Sequence, residues 1–420
     1  MKYSDKSSDK NSDFSLEYEN FKLSKVSGSI QIDGNSGWIS AKNAGICTGS
    51  GTYFDPYVIE DLEINAKRMG SCILIENSYV HFKIENCTLF NARTQFQTIA
   101  GIYFNNVVNG KIINNNCSIN DNGIYLYQSY NNEILNNTAN SNEVSGINLE
   151  QSSNNVISGN IVKYNTNDGI KIVGSSNTIS GNIVIHNGYF EIHAFYAHNN
   201  VFSENTAHAI ILYVTTSNIL SGNKVSNGSG IVLFDSNNTN IFNNIIYNNW
   251  GGIKLLESYN NKITGNTASN NNDHGIHLEK SHYNTVSGNT ASNSNYGIFL
   301  TYSRNNHILL NTITDNGIGI HIYKSKCNQI LNNSFSGNDI EKQGTQEECD
   351  PFPLEIVLAI VIPIVGITLI VTGMVIYKRK KSRGTEIKYP KKEGKKEGFK
   401  EIKYPKSEER RKRLDSDEKF

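Results

Sequence analysis

A short pattern of apolar and polar positions recurs along the chain. Its core reads Gly-Ile-x-Leu/Ile, which in an extended segment places the two aliphatic side chains on one face and the residue between them on the other. An Asn-rich turn follows, then an aliphatic pair and one more Asn in a constant position. Successive copies are 22 or 23 residues apart within two regular stretches. The opening glycines are Gly101, Gly123, Gly146, Gly169, Gly230, Gly252, Gly275, Gly297 and Gly319.

This period fits a leucine-rich repeat or a β-solenoid with two or three strands per coil. No copy contains a stretch with helical periodicity, and the apolar positions are mostly Ile and Val in short alternating runs. The pattern therefore predicts an all-β fold, a parallel β-helix of about 12 coils over residues 26–340 with a cap at its N-terminal end.

Asparagine accounts for 62 of the 420 residues, all of them before residue 340. One Asn recurs in every copy, and amides stacked about 4.8 Å apart can hydrogen-bond to the coils above and below. The pattern predicts a structural ladder rather than a ligand-binding row, because an inward amide satisfies turn backbone groups that water cannot reach. The predicted ladder consists of Asn86, Asn115, Asn137, Asn160, Asn182, Asn205, Asn223, Asn244, Asn266, Asn289, Asn311 and Asn333.

The repeat Gly-Ile-x-Leu…Ser-x-x-Asn-x-Ile-x-x-Asn resembles that of NosD-like proteins, in the broad group of carbohydrate-binding proteins and sugar hydrolases. The segment from Gly45 to Ile59, which begins Gly-Ile-Cys-Thr-Gly-Ser-Gly-Thr, is similar to the opening of archaeal membrane-anchored surface proteins in this group. The resemblance covers residues 30–340 and implies a right-handed β-helix. It implies no particular activity, since the repeats are scaffold.

An uncharged apolar run at residues 356–376 is long enough to cross a bilayer as one helix. A stalk at 341–355 precedes this predicted transmembrane helix (356–377), and a basic tail at 378–420 follows it. Because Lys378, Arg379, Lys380 and Lys381 come directly after the run, the positive-inside rule places the tail in the cytoplasm and the β-helix outside. Residues 1–25 are polar and predicted to be disordered, with no apolar run of a signal peptide.

The zero net charge of the chain is a cancellation between two parts. Residues 378–420 contain 18 Lys/Arg and 9 Asp/Glu, so the tail carries +9 and the remaining residues carry −9. The lipid bilayer is therefore one predicted partner, and anionic headgroups or a cytoplasmic protein are predicted partners of the tail. A basic surface for nucleic acid is missing from the body.

The repeat is least regular at residues 186–223, where Glu191 and Ala209 replace the glycine. Departures from a repeat are places where function can reside, so a ligand surface is expected here beside the alternative of a local packing defect. Aromatic rings could stack on sugars and imidazoles could bind copper or zinc. The candidate ligand-surface residues are His193, Phe195, Tyr196, His198, His208 and Tyr213.

A second candidate is the outward column two residues past each glycine, for which a solvated strand face is the simpler interpretation. It contains Tyr103, Tyr125, Asn148, Lys171, Lys254, His277, Phe299 and His321.

No catalytic residues are assigned. Sugar-cleaving enzymes need an acid and a base a few ångströms apart, whereas the acids here are scattered and often precede a turn glycine, as Asp168 and Asp273 do. Six cysteines cluster toward the two ends of the solenoid and are interpreted either as disulfides of an exported protein or as reduced core residues. No cofactor and no metal site are predicted.

From these patterns we expect a single-pass cell-surface protein whose β-helix is a non-catalytic binding or adhesion module, directed at polysaccharide or at other cell-envelope proteins. Two alternatives stay open. One is a polysaccharide lyase, hydrolase or epimerase, and the other is a copper-handling protein, as the NosD-like resemblance implies.

Overall fold

The computed structural model describes residues 25–94 and 98–345. The predicted transmembrane helix, the basic tail, most of the stalk and nearly all of the predicted N-terminal disordered segment lie outside these residues. In the described part of the chain, no helix is both long and apolar enough to cross a membrane.

The described residues form an all-β parallel solenoid in which each coil contributes strands to up to three sheets. Sheet A contains the strands of the Gly-Ile-x-Leu motif, and neighbouring coils pair in parallel register, as in Ile147 with Ile170 and Ile170 with Ile192. Its strands are Ile30–Asp33, Ile73–Glu76, Ala100–Asn105, Asn122–Tyr127, Ile147–Glu150, Ile170–Val173, Ile192–Phe195, Thr206–Tyr213, Lys224–Phe234, Ile253–Leu256, His274–Glu279, Tyr296–Thr301, Ile318–Tyr323 and Ile340–Gln343.

Sheet B follows sheet A in each coil and contains 13 strands in the described part of the chain, so the solenoid has about 13 coils rather than the predicted 12 or so. Its strands are Tyr57–Glu60, Phe82–Glu85, Gly110–Ile113, Glu133–Leu135, Val156–Ser158, Thr178–Ser180, Val201–Ser203, Ile219–Ser221, Asn240–Phe242, Lys262–Thr264, Thr285–Ser287, His307–Leu309 and Gln329–Leu331.

Sheet C closes each coil and is interrupted near residues 116 and 138, where isolated bridges replace strands. The long strands Thr206–Tyr213 and Lys224–Phe234 begin in sheet C and end in sheet A. The other strands of sheet C are Lys25–Ser27, Leu62–Asn65, Thr88–Phe90, Ile161–Lys163, Ile183–Ile185, Ile245–Tyr247, Thr267–Ser269, Thr290–Ser292, Thr312–Thr314 and Ser334–Ser336.

The N-terminal end of the solenoid is covered by a helix, Gly34–Asn43. Trp38 of this helix is fully buried, its indole stacks on Tyr57 at a ring distance of 5.1 Å, and its Nε1 donates a hydrogen bond to Ser78 Oγ. This covering prevents the first coil from exposing its aliphatic interior to water.

An unbroken row of hydrogen-bonded amides runs from Asn115 to Asn333. Within this Asn ladder, Asn266 Nδ2 donates to Asn289 Oδ1 in the next coil at 2.9 Å and to the carbonyl oxygen of Ile241 in the preceding coil at 2.9 Å. Its Oδ1 accepts from the backbone N–H and the side chain of Asn244. Each amide therefore joins three coils.

The assignment of Asn86 to this ladder is wrong by one residue. Asn86 is exposed and has a φ of 56°, a left-handed conformation that Asn tolerates well in turns. The ladder position of that coil is held by Cys87, whose backbone N–H donates to Asn115 Oδ1. A thiol cannot accept and donate as an amide does, so the row of amides starts one coil later than predicted.

The other two corners of the solenoid have amide columns of their own. The corner between sheets A and B contains Asn132, Asn155, Asn177, Asn200, Asn218, Asn261, Asn284, Asn306 and Asn328. The corner between sheets C and A contains Asn120, Asn142, Asn165 and Asn187, and, after a gap, Asn249, Asn271, Asn316 and Asn338. The high Asn content therefore reflects three corner columns and many left-handed turn positions.

The cysteines near the N-terminal end are core residues. Cys47, Cys72, Cys87 and Cys117 are free and buried, and burial raises the pKa of the Cys72 thiol to about 12. Cys327, near the other end, is disulfide-bonded.

Replacing Asn266 by Ala should lower the free energy of unfolding by about 1–3 kcal/mol, because the loss of its amide leaves buried donors and acceptors of adjacent coils without partners. Chemical denaturation measures the change. Asn240→Ala, at an exposed position of a sheet B strand, is the matched control and should change stability by less than about 0.5 kcal/mol. Equal effects of the two substitutions would contradict this role of the ladder.

Candidate functional site

The outer face of sheet A contains a row of aromatic side chains that crosses three coils. Phe195, Tyr213 and Phe234 occupy matching register positions on consecutive strands. The ring centroids of Phe195 and Tyr213 are 5.3 Å apart, and those of Tyr213 and Phe234 are 4.7 Å apart with nearly parallel planes. Tyr213 remains 37% exposed. We call these three residues the aromatic platform.

Two of the other candidate ligand-surface residues lie on opposite sides of the platform. Tyr196 follows Phe195 at the corner, is exposed and contacts the Phe195 ring at 4.1 Å. His193 lies on the same strand as Phe195, and their rings are 6.3 Å apart.

His198 is the candidate that the structure places elsewhere. It lies past Tyr196, at the corner leading to sheet B, where its Nδ1 accepts a hydrogen bond from the backbone N–H of Thr216 at 3.1 Å. It holds two coils together in the way the corner amides do, so its role is structural.

Two carboxyl groups and two imidazoles meet next to the platform, and we call Asp168, Glu191, His193 and His208 the carboxyl–imidazole cluster. His193 Nδ1 lies 3.3 Å from Asp168 Oδ2, and His208 Nδ1 lies 3.5 Å from Glu191 Oε1. Asp168 and Glu191 were not predicted as site residues. Asp168 had the position expected of a turn former, and Glu191 was recognised only as a replacement of the repeat glycine.

Burial raises the pKa of Glu191 to about 7, and the nearby Asp168 charge acts in the same direction. The backbone N–H groups of Glu191 and Asn187 donate to this carboxyl and oppose the shift. Burial also lowers the pKa of His208, with His186 contributing. Near neutral pH the cluster therefore contains a carboxyl group that is partly protonated beside a neutral imidazole.

A shortened corner brings His208 to this cluster. Nine positions separate Ile183 from Ile192, but only four separate their register partners Thr206 and Ile210, so the strands of sheets C and A fuse into one. The corner amide column is interrupted there. The carboxyl of Glu191 accepts from the N–H of Asn187, as the next amide of the column would have done.

A second group on the same outer face consists of Phe299 and two histidines, His277 and His321. The ring of Phe299 stacks between His277 at 4.6 Å and His321 at 4.8 Å. Burial lowers the pKa of His277 to about 3, so this imidazole is neutral. The outward column that contains these three residues is therefore a packed stack rather than a freely solvated strand face.

Among the residues that the structure describes, no group of three or more His, Cys, Asp or Glu side chains is arranged to hold a metal ion. The imidazoles of the platform region each have a protein neighbour: His193 contacts Asp168, and His208 contacts Glu191.

Phe234 is the platform residue that the sequence analysis missed. The signal was present, because Phe195, Tyr213 and Phe234 are each four positions past the residue in the glycine column. The outward column considered as a candidate lies two positions past the glycine, and the platform column lies two positions beyond it.

The family described as periplasmic copper-binding protein (NosD) matches residues 29–206 and 199–348 of the chain. No curated protein has a significantly matching sequence.

Among solved structures, the A-module of the mannuronan C-5 epimerase AlgE6 of Azotobacter vinelandii is 11% identical, with a TM-score of 0.41, and the match covers 78% of this chain and 92% of that chain. The periplasmic alginate epimerase AlgG is 16% identical, with a TM-score of 0.37 and coverages of 75% and 84%. The Dettilon tailspike protein gp208 is 15% identical, with a TM-score of 0.36 and coverages of 74% and 60%. At these identities the likeness concerns the fold alone.

The raised pKa of Glu191 predicts a pH-dependent stability. Because its folded-state pKa of about 7 lies above the ordinary value of 4.5, its contribution is complete below pH 4.5 and is lost as the pH rises through about 7. Glu191→Gln, which stays neutral, should therefore gain about 2–3 kcal/mol of stability relative to the wild type between about pH 5 and pH 8. Denaturation curves across this range measure the difference.

The exposed Glu204 lies after the sheet B strand of the same coil and supplies the control. Glu204→Gln should follow the wild-type pH profile. Parallel profiles for the wild type and Glu191→Gln would show that the Glu191 carboxyl is ionised throughout the range.

Proposed function

The chain belongs to the NosD family, and we propose that its β-helix is a non-catalytic carbohydrate-binding module displayed at the cell surface. The observation that carries the proposal is the aromatic platform, three stacked or tilted rings that cross three coils of a rigid scaffold. Coils are about 4.8 Å apart, so the platform is about 10 Å long. Contiguous exposed apolar side chains mark interaction or ligand-binding sites, whereas single exposed apolar residues are common on any surface.

The chemistry around the platform supports a polyhydroxylated ligand. The exposed part of the Tyr213 ring offers apolar contact to a sugar ring. The Tyr213 hydroxyl and the His193 imidazole offer hydrogen bonds to sugar hydroxyl groups. The rings are held by packing on neighbouring coils, so little conformational entropy is lost on binding.

The carboxyl–imidazole cluster favours a second candidate, an enzyme that acts on polysaccharide by acid–base catalysis. Glu191 has a pKa near neutrality and lies close to a second carboxyl, as such a mechanism requires. We favour binding without catalysis because Asp168 and Glu191 are each occupied by an imidazole, and Glu191 also replaces a corner amide. The name of the family refers to copper, but the proposal rests on the platform and not on a metal.

Membrane attachment and topology belong to the same proposal. Residues 356–376 would span the bilayer once, with the β-helix outside and residues 378–420 in the cytoplasm against anionic lipid headgroups. The charges of −9 before and +9 after the segment support this orientation. The right-handed winding of the solenoid is also proposed, supported by the rarity of left-handed crossovers between parallel strands.

Tyr213→Ala should weaken retention of the bound polysaccharide by about tenfold, because it removes the central ring of the platform. The experiment incubates the protein with a panel of neutral, amino-substituted and uronate polysaccharides, and scores retention and new chain ends separately.

Tyr283→Ala is the matched control, since Tyr283 is a comparably exposed tyrosine at a corner outside the platform, and it should bind as the wild type does. Retention without new chain ends supports a binding module. New chain ends that disappear in Glu191→Gln would support the enzyme instead of the binding module. Absence of both retention and new chain ends from the whole panel would refute both candidates.

Protease added to intact cells should degrade the β-helix and leave a membrane-embedded fragment that contains residues 378–420. The reason is that the tail carries the positive charge that stays in the cytoplasm. Antibodies against the two parts distinguish the fragments. Complete protection of the β-helix with loss of the tail would reverse the proposed topology.

A further inference from the structure

Trp250 is a large apolar side chain that the solenoid leaves exposed. It lies at the corner before the sheet A strand Ile253–Leu256, on the edge of the outer face that carries the platform, and is 69% exposed. An indole is costly to leave in water, and exposed Trp is enriched at binding sites because its flat face stacks and its N–H donates. The backbone of Trp250 makes the same hydrogen bonds as the backbones of other corner residues, and these bonds do not depend on the side chain. The fold therefore does not require a tryptophan at this position.

We infer that Trp250, Asp273 and the exposed amides next to them form a second carbohydrate subsite, which binds the same extended chain as the aromatic platform. The inference rests on the proposed function and adds to it a ligand length and a direction along the solenoid.

The residues of this subsite lie in neighbouring coils. The backbone N–H of Asp273 donates to the carbonyl oxygen of Trp250 at 2.9 Å, so Asp273 occupies the same corner one coil further on. Gly251, next to Trp250, leaves room for the ring of His274, since a Cβ at that glycine would come within 2.5 Å of His274 Nε2. The corner sequence Trp-Gly thus combines an exposed indole with space for an imidazole behind it.

Asp273 and His274 form an oriented pair. His274 Nδ1 lies 3.0 Å from Asp273 Oδ2, and the hydrogen bond to the imidazole holds the pKa of Asp273 below its ordinary value. His274 is only 3% exposed, and its Nε2 has no hydrogen-bond partner in the described part of the chain. The buried His274 imidazole holds the partly exposed Asp273 carboxylate in one orientation. The carboxylate can therefore accept hydrogen bonds from hydroxyl groups without a further loss of rotamer freedom.

A polar depression adjoins Asp273. Its exposed members are amides, and amides offer a donor and an acceptor side by side, which matches neighbouring hydroxyls of a sugar. The depression is lined by Asn270, Asn271, Asn272, Asn293, Ser294 and Asn295. Asn271 and Ser294 belong to the corner column and are buried, so the exposed amides available to a ligand are the other four.

The distance between the two subsites suits one extended chain. Along the solenoid axis, the coil of Tyr213 precedes that of Asp273 by three coils, through the pairings of sheet A, which is about 14 Å at 4.8 Å per coil. Across sheet A, Asp273 lies six positions before Glu279, which belongs to the register column of Tyr213, and this adds a displacement of up to about 20 Å at 3.3 Å per residue. A ligand chain that runs diagonally across the outer face of sheet A would cover the platform and reach Trp250. A short oligosaccharide would occupy only the platform.

Tryptophan fluorescence tests whether the polysaccharide binds at Trp250, because the chain has two tryptophans and the other, Trp38, is fully buried. In the full-length chain in a non-aromatic detergent, acrylamide should quench Trp250 selectively. The polysaccharide retained by the platform should protect it from quenching. Trp250→Ala should bind this polymer about tenfold more weakly and a short oligosaccharide with unchanged affinity, whereas Trp250→Phe should recover most of the loss.

The outcomes separate the two proposals. The second subsite would be overturned if the polysaccharide did not protect Trp250 from acrylamide quenching, and if Trp250→Ala bound the polymer normally while Tyr213→Ala did not. That result would leave the proposal for the platform intact. Equal losses for polymer and short oligosaccharide in Trp250→Ala would also overturn the second subsite. If the wild-type chain retains no carbohydrate, both proposals fail. Circular dichroism of each variant verifies the solenoid fold.

Discussion

The hydrogen bond from one stacked amide to the next is the interaction on which the rest of this structure depends. A solenoid turns its chain through three corners in every coil, and each turn leaves backbone donors and acceptors inside, where water cannot reach them. In the Asn ladder one side chain satisfies a carbonyl oxygen of the preceding coil, donates to the amide of the following coil and accepts from a backbone N–H, as Asn266 does. Stacked aliphatic side chains fill the interior, but the amides determine the register between consecutive coils.

This division of roles leaves the outer face of sheet A free to vary. Side chains at equivalent positions of consecutive coils lie about 5 Å apart, so a column of aromatic residues becomes a stack without any further element to support it. Two stacks arise in this way, one through Tyr213 and Phe234 and the other through His277, Phe299 and His321. The surface chemistry is thus assembled from residues that are 18 to 23 positions apart in the sequence but adjacent in space.

The parts of the structure that could be predicted are those that repeat. The parallel β-solenoid and the ladder from Asn115 onward follow from identical residue types at constant spacing. Asn86 was misplaced because Asn is also favoured one residue before the ladder position, in the left-handed turn, and the sequence of a single coil does not distinguish the two roles. Asp168 and Glu191 could not be assigned to a site, because Asp before a glycine is typical of a turn and because His208 reaches Glu191 only through a corner whose length departs from the repeat.

That shortened corner explains why Glu191 and His208 lie together. Fusing the strands of sheets C and A removes a turn, and with it the amide that would have accepted from the backbone N–H of Asn187. A carboxyl can take over as acceptor, but it brings a charge into a poorly solvated position, and the cost appears as the raised pKa of Glu191. An imidazole at His208 then lies within reach of that carboxyl. The site is therefore the local solution to a break in the corner column, and its acid–base properties follow from the interaction that holds every other coil in place.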